Sequence, residues 1–118
     1  MTSQHNENFS IDPEAIVKMV GDDPEGHKRL WDMFVRLAPD MIQDILLAYQ
    51  EQRIHDVRAN SHKLKSSARG MGVYAMADLC EELEVKAKAE DWDGVHAARP
   101  ERLTVMMGAV VDYVDQRA

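Results

Sequence analysis

Apolar residues recur at three- and four-residue spacing through four long segments of this chain, and no segment shows the alternation typical of a half-buried strand. Such spacing places apolar side chains on one face of an α-helix. Long helices with one apolar face bury that face by packing against each other. The pattern therefore predicts an all-α protein, an up-down four-helix bundle with an additional short N-terminal helix.

Local signals indicate where each helix begins and ends. Asp12 and Asp23 each precede a proline, and aspartate accepts hydrogen bonds from the free amides of a first helical turn, where proline is tolerated. Gly21 and Gly70 follow apolar stretches and are typical of helix ends. The predicted helices cover residues 13–20, 24–50, 53–69, 74–89 and 91–116.

Two prolines interrupt these patterns. Pro39 lies inside the second predicted helix, so we expect a kink there or a division into two helices. Pro100 lies inside the fifth, which Asp91 is expected to cap and which we expect to bend at the proline.

Composition limits the domain organisation and the class of partner. The 118 residues suit one domain, which we assign to residues 11–118, while the polar and unpatterned residues 1–10 are expected to form a flexible N-terminal tail. The net charge of −7 argues against nucleic-acid binding. A single cysteine, Cys80, excludes an internal disulfide. Because neither a signal peptide nor a bilayer-spanning apolar run is recognisable, we expect a cytoplasmic protein that does not bind membranes.

The most informative residue is His62. On a helical wheel its side chain lies opposite the apolar stripe of the third predicted helix and therefore points to solvent. Cationic and small side chains lie within about 60° of it on the same face: Arg58, Lys65, Ser66 and Arg69. An exposed neutral imidazole is a good nucleophile, and neighbouring cations can offset the charge of a bound phosphoryl group. The other histidines are scattered, so no metal site is expected.

This segment resembles the signature of the histidine-containing phosphotransfer (HPt) family. The likeness is carried by residues 62–72, HKLKSSARGMG, and by residues 79–84, LCEELE, and it extends over about residues 11–115. It implies that His62 is the phosphoacceptor, that Lys65 stabilises the phosphoryl group and that Glu84 hydrogen-bonds the other ring nitrogen. Gly72 would then allow the tight turn that follows. Ser66 departs from the glycine most common in the family, a difference that we expect to alter partner choice or rate without removing the activity.

The resemblance also implies partners. They would be receiver domains of response regulators and a hybrid or sensor histidine kinase, with Mg²⁺ bound by the receiver and no cofactor of the chain's own. No GxGxxG or Walker-type loop is present, so we expect a phosphotransfer intermediate without autokinase activity, acting as a monomer. Docking is expected on the face around His62, on Arg58, Ser66 and Arg69, together with Met19 on the first helix.

Two other functions compete with this prediction. The dimerisation and phosphoacceptor domain of a histidine kinase usually has an acidic residue after its histidine, where this chain has Lys63. A helical adaptor that only binds receivers would not need the intact His62 and Lys65. A simpler interpretation, as solvated surface charges, also exists for the charged residues assigned to the site: Lys65, Glu84, Arg58 and Arg69.

Overall fold

The computed structural model describes residues 9–117, and within this range all regular secondary structure is α-helical. The prediction of an all-α protein is confirmed. The predicted tail at residues 1–10 falls mostly on residues 1–8, which lie outside the described residues. None of the described helices is long and apolar enough to cross a membrane. The helices are α1 (Pro13–Val20), α2 (Pro24–Gln50), α3 (Ile54–Gly70), α4 (Tyr74–Lys88), α5 (Trp92–Ala98) and α6 (Arg102–Arg117).

Aspartate side chains cap three of these helices. An Oδ1 atom of Asp12 accepts from the amide of Glu14 at 3.0 Å, and Asp23 accepts in the same way from Glu25 at 3.2 Å. Asp91 accepts from the amide of Gly94 at 2.9 Å. Each such cap typically stabilises a helix by about 1 kcal/mol. The predicted starts of the first two helices therefore agree with the structure, because these signals act within one turn.

The prediction of one bent fifth helix is wrong. The chain forms two helices there, α5 and α6, separated at Arg99, whose φ of 60° is left-handed. Proline disfavours the helical conformation for the residue before it, and Pro100 also lacks an amide hydrogen. Pro39, by contrast, lies inside the single helix α2, which is not split.

Helices α2, α3, α4 and α6 supply most of the core. The helix α2 packs against α3 and α6, α4 packs against α3, α5 and α6, and α1 lies on α2 and α3. The largest fully buried side chains include Ile45, Leu64, Met76, Leu83 and Leu103. Cys80 is also fully buried, and desolvation raises the pKa of its thiol to about 12, so it packs as an unreactive apolar residue.

Gly72 lies in the turn between α3 and α4, where the chain comes close to the start of α1. Its φ is +80°, and its carbonyl accepts a 3.0 Å hydrogen bond from the amide of Asp12. A Cβ atom at this position would lie 2.4 Å from the Asp12 carbonyl oxygen and 3.0 Å from Cβ of Ala15. The position therefore needs glycine for its backbone angle and for the close approach of α1.

We expect Gly72→Ala to destabilise the protein by about 2–4 kcal/mol, from left-handed strain together with the steric clash. The measurement is the free energy of unfolding in urea. Gly108→Ala is the matched control, since a Cβ there meets nothing within 4 Å and alanine favours the helix interior of α6. Equal stability of the two variants would contradict the argument.

Candidate functional site

His62 lies near the middle of α3, on the face that the core does not cover. Its neighbours Ser61 and Leu64 are fully buried, and the same helical rotation leaves 60% of the His62 side chain exposed. The side chain can therefore meet a partner protein without any unfolding of the helix.

The neighbouring helix α4 brings Glu84 to the ring of His62. Nδ1 of His62 lies 2.9 Å from Oε2 of Glu84, and the Glu84 side chain is only 19% exposed. An ionised carboxylate only accepts hydrogen bonds, so Nδ1 carries a proton and donates a hydrogen bond to Glu84. In the neutral ring with its proton on Nδ1, the lone pair is on Nε2, on the side of the ring away from Nδ1.

The other oxygen of Glu84 contacts Lys65. Its Oε1 lies 2.7 Å from Nζ of Lys65, a close ion pair in which charge attraction matters more than hydrogen-bond alignment. Lys65 also donates to Oε1 of Glu81 at 3.0 Å. These two contacts hold the ammonium of Lys65 between two carboxylates of α4, and only 15% of the Lys65 side chain is exposed.

Charge and burial act in opposite directions on these groups. Burial acts to raise the pKa of the Glu84 carboxyl, but the Lys65 ammonium and the His62 ring outweigh it, so this pKa is lowered from its ordinary value. Glu84, followed by Glu81, raises the pKa of Lys65. Near neutral pH Glu84 is therefore ionised and remains an acceptor for His62.

Glu81 is the site residue that sequence reasoning missed. His62 pairs with Glu84, and Lys65, three residues later on α3, pairs with Glu81, three residues earlier on α4. Opposite steps of equal length mean that the two helices run antiparallel in one register. If Glu84 is known to lie opposite His62, an antiparallel pairing places Glu81 opposite Lys65. This was the signal that could have identified Glu81.

The remaining predicted residues lie along the exposed side of α3 and on α1. Arg58, Ser66 and Arg69 are exposed on the His62 face, and Ser66 donates from Oγ to the His62 carbonyl at 3.4 Å. Met19 of α1 is 48% exposed, and its sulfur would lie 3.8 Å from a Cβ at Gly70. The structure thus brings α1 against the C-terminal turn of α3.

Met19 and Ser66 line one apolar groove, which begins one helical turn from His62. The groove encloses about 230 Å³ between α1, α2 and α3. Met33 and Leu37 of α2 are its most exposed large apolar walls after Met19, with nearly half of each side chain accessible. The other lining residues are Leu30, Phe34, Ala38, Met41, Ser67, Gly70 and Met71. We call this surface the α1–α2–α3 groove.

Within residues 9–117, no group of three or more His, Cys, Asp or Glu side chains is arranged to hold a metal ion. His62, Glu84 and Lys65 instead form a chain of contacts from ring to carboxylate to ammonium. This arrangement can fix a tautomer and present one imidazole nitrogen to an electrophile.

Known proteins resemble the chain in both sequence and structure. The family model described as "Hpt domain" matches residues 29–116. The crystal structure of histidine-containing phosphotransfer protein B from Pseudomonas aeruginosa PAO1 superimposes with a TM-score of 0.81 at 20% identity, covering 91% of this chain and 92% of that one. No curated protein matches the sequence. The family match spans well over half of the chain and includes His62, Lys65 and Glu84, and the chain therefore belongs to the Hpt domain family, the histidine phosphotransfer carriers of His–Asp phosphorelays.

Proposed function

We propose that His62 carries the phosphoryl group, accepting it from and returning it to aspartates of receiver domains. The observation that supports this most strongly is the 2.9 Å contact between Nδ1 of His62 and Glu84 on a ring that is otherwise exposed. That contact leaves Nε2 as the free nucleophile on the solvent side.

The chemistry follows from this tautomer. The lone pair of Nε2 attacks the phosphorus of the aspartyl phosphate, an N–P bond forms, and the P–O bond breaks with its electron pair left on the aspartate carboxylate. The ring becomes a phosphorylated imidazolium that keeps its Nδ1 proton. Glu84 accepts a hydrogen bond from that proton and offsets the new positive charge, and the reverse transfer retraces the same steps.

The partners are proposed from the same family. They are receiver domains and a hybrid or sensor histidine kinase. Mg²⁺ bound by the receiver would neutralise charge on the phosphoryl group in the transition state of the transfer. The protein itself would act as a monomer in the cytoplasm, where the kinases that start such relays find ATP, and it would have no autokinase activity.

We also propose that α2, α3, α4 and α6 form an up-down bundle with α1 as the additional helix. The antiparallel register of α3 and α4, inferred from their paired ionic contacts, supports this arrangement. The packing of α2 on α3 and α6, and of α4 on α6, is consistent with a closed ring of four helices.

The first test uses a receiver domain charged with labelled acetyl phosphate. We expect label on the wild-type chain and none on His62→Gln, because glutamine has no nucleophilic nitrogen. The matched control is His55→Gln, which changes another exposed histidine of α3 and should still accept label. Label on the His62 variant contradicts the assignment, and receiver binding without any transfer by the wild type supports the adaptor instead.

The role of Glu84 is tested by two substitutions. Glu84→Ala removes the acceptor for the Nδ1 proton, and we expect the rate of phosphoryl uptake to fall about tenfold or more, as befits a hydrogen bond to a charged group. Glu84→Gln keeps an oxygen acceptor and should retain more of the rate. Rapid-quench transfer from a phosphorylated receiver provides the rates, and circular dichroism establishes that both variants fold. An alanine variant as fast as the wild type would argue against this role.

We further propose that the α1–α2–α3 groove receives an apolar surface of the receiver domain. The groove is continuous with the His62 face through Ser66, and both Met19 and Leu37 are exposed within it. Burying apolar area next to the reacting atoms would orient the two proteins for in-line transfer. Arg58 and Arg69 would lie at the edge of this contact as docking charges.

Met19→Glu and Leu37→Glu should each weaken receiver binding about fivefold or more, the usual cost of disrupting a central apolar contact. Val105→Glu on α6 makes the same change at a side chain that is 58% exposed outside the groove, and it should leave affinity unchanged. Titration calorimetry with one receiver domain measures all three variants. Unchanged affinity for both groove variants would refute the docking surface.

A further inference from the structure

The carrier reaction needs a nucleophile, an acceptor for the hydrogen bond from its Nδ1 proton and a cation near the phosphoryl group, and it leaves Glu81 without a role. Yet Glu81 receives a 3.0 Å hydrogen bond from the same Lys65 ammonium that contacts Glu84. Two carboxylates thus share one cation immediately beside His62. The question is what the second carboxylate does to the reaction.

The position of the ammonium is informative. Lys65 is bound to the carboxylate that serves Nδ1 of His62, whereas a phosphoryl group would be attached to Nε2, the opposite nitrogen of the ring. The ammonium donates one hydrogen bond to Glu81 and is also in close ionic contact with Glu84. To contact the phosphoryl oxygens, the ammonium has to turn away from at least one carboxylate.

The two carboxylates are not equivalent. Glu84 is 19% exposed and also holds the His62 ring, so its release from Lys65 would disturb the nucleophile. Glu81 is 50% exposed and contacts Lys65 alone among the ionic pairs of the described residues. Because Glu81 is half exposed, water can solvate it when Lys65 leaves, so the contact with Glu81 is the one that can be exchanged for a phosphoryl group.

Resting on the proposed role of His62, we propose that Glu81 is a positioning residue that competes with the phosphoryl group for Lys65. While Glu81 holds the ammonium, the phosphoryl group on Nε2 has a weaker counter-charge and is given up more readily to a receiver aspartate. The aspartate oxygen attacks phosphorus, the N–P bond breaks with its electron pair returning to Nε2, and Lys65 returns to Glu81. The carboxylate thereby raises the transfer potential of the phosphorylated protein.

The test is the equilibrium of phosphoryl exchange with one receiver domain. Purified, labelled phosphoprotein is mixed with the unphosphorylated receiver, and the labelled species of both proteins are quantified at equilibrium. We expect Glu81→Gln to shift the equilibrium about two- to fivefold toward the phosphorylated chain, the size of effect typical of a half-exposed ion pair. The lifetime of the phosphohistidine against hydrolysis should rise with it.

Two controls separate competition for Lys65 from general charge effects. Glu82→Gln removes the same charge from the next residue of α4, which is exposed and is in none of these contacts, so it should leave the equilibrium at the wild-type value. In a Lys65→Gln background, Glu81→Gln should have no further effect, because it acts through the ammonium.

The outcomes are distinct from those of the proposed function. Wild-type protein that takes no label overturns the carrier role of His62 and this inference with it. If the wild type exchanges normally, four results for Glu81→Gln overturn the role of Glu81 alone. They are no shift in the equilibrium, a shift equal to that of Glu82→Gln, a shift in the opposite direction, and a shift that persists without Lys65. Thermal unfolding of each variant verifies that the comparison is made between folded proteins.

Discussion

The site depends on one carboxylate that contacts two other side chains. One oxygen of Glu84 accepts from the His62 ring and the other pairs with Lys65, so a single carboxylate holds both the proposed nucleophile and the nearby cation. A largely buried carboxylate is costly unless it is compensated. Here the ammonium and the ring together more than offset the desolvation, which is why the pKa of Glu84 falls despite its burial.

That carboxylate acts only if α3 and α4 pack in one register. The register is set by fully buried core residues of both helices, including Leu64 on α3 and Leu83 on α4, and by the turn at Gly72. A shift of one residue would rotate Glu84 by about 100° away from His62. The close-packed core therefore acts on the chemistry by holding two surface side chains opposite each other.

The N-terminal segment links this turn to the α1–α2–α3 groove. Asp12 caps α1 through Oδ1 and accepts a hydrogen bond from the Tyr74 hydroxyl at 3.1 Å through Oδ2. Its backbone amide donates a hydrogen bond to the carbonyl of Gly72. The helix that these bonds fix in place carries Met19 to the end of α3. The turn that sets the register of the site thus also positions one wall of the groove beside it.

The sequence by itself determined which segments are helical, where most of them begin and end, and that His62 faces outward. Helical periodicity, aspartate caps and glycine ends act within one or two turns, so neighbouring residues suffice to predict them.

The division at Arg99 was missed because the apolar pattern of Val95, Leu103 and Val110 continues across it. Glu84 was identified by resemblance to a family and not by geometry. The pairing of Lys65 with Glu81, the close approach of Asp12 to Gly72 and the α1–α2–α3 groove were decided by the tertiary structure alone, because contacts between helices depend on register and orientation, which no single helix encodes.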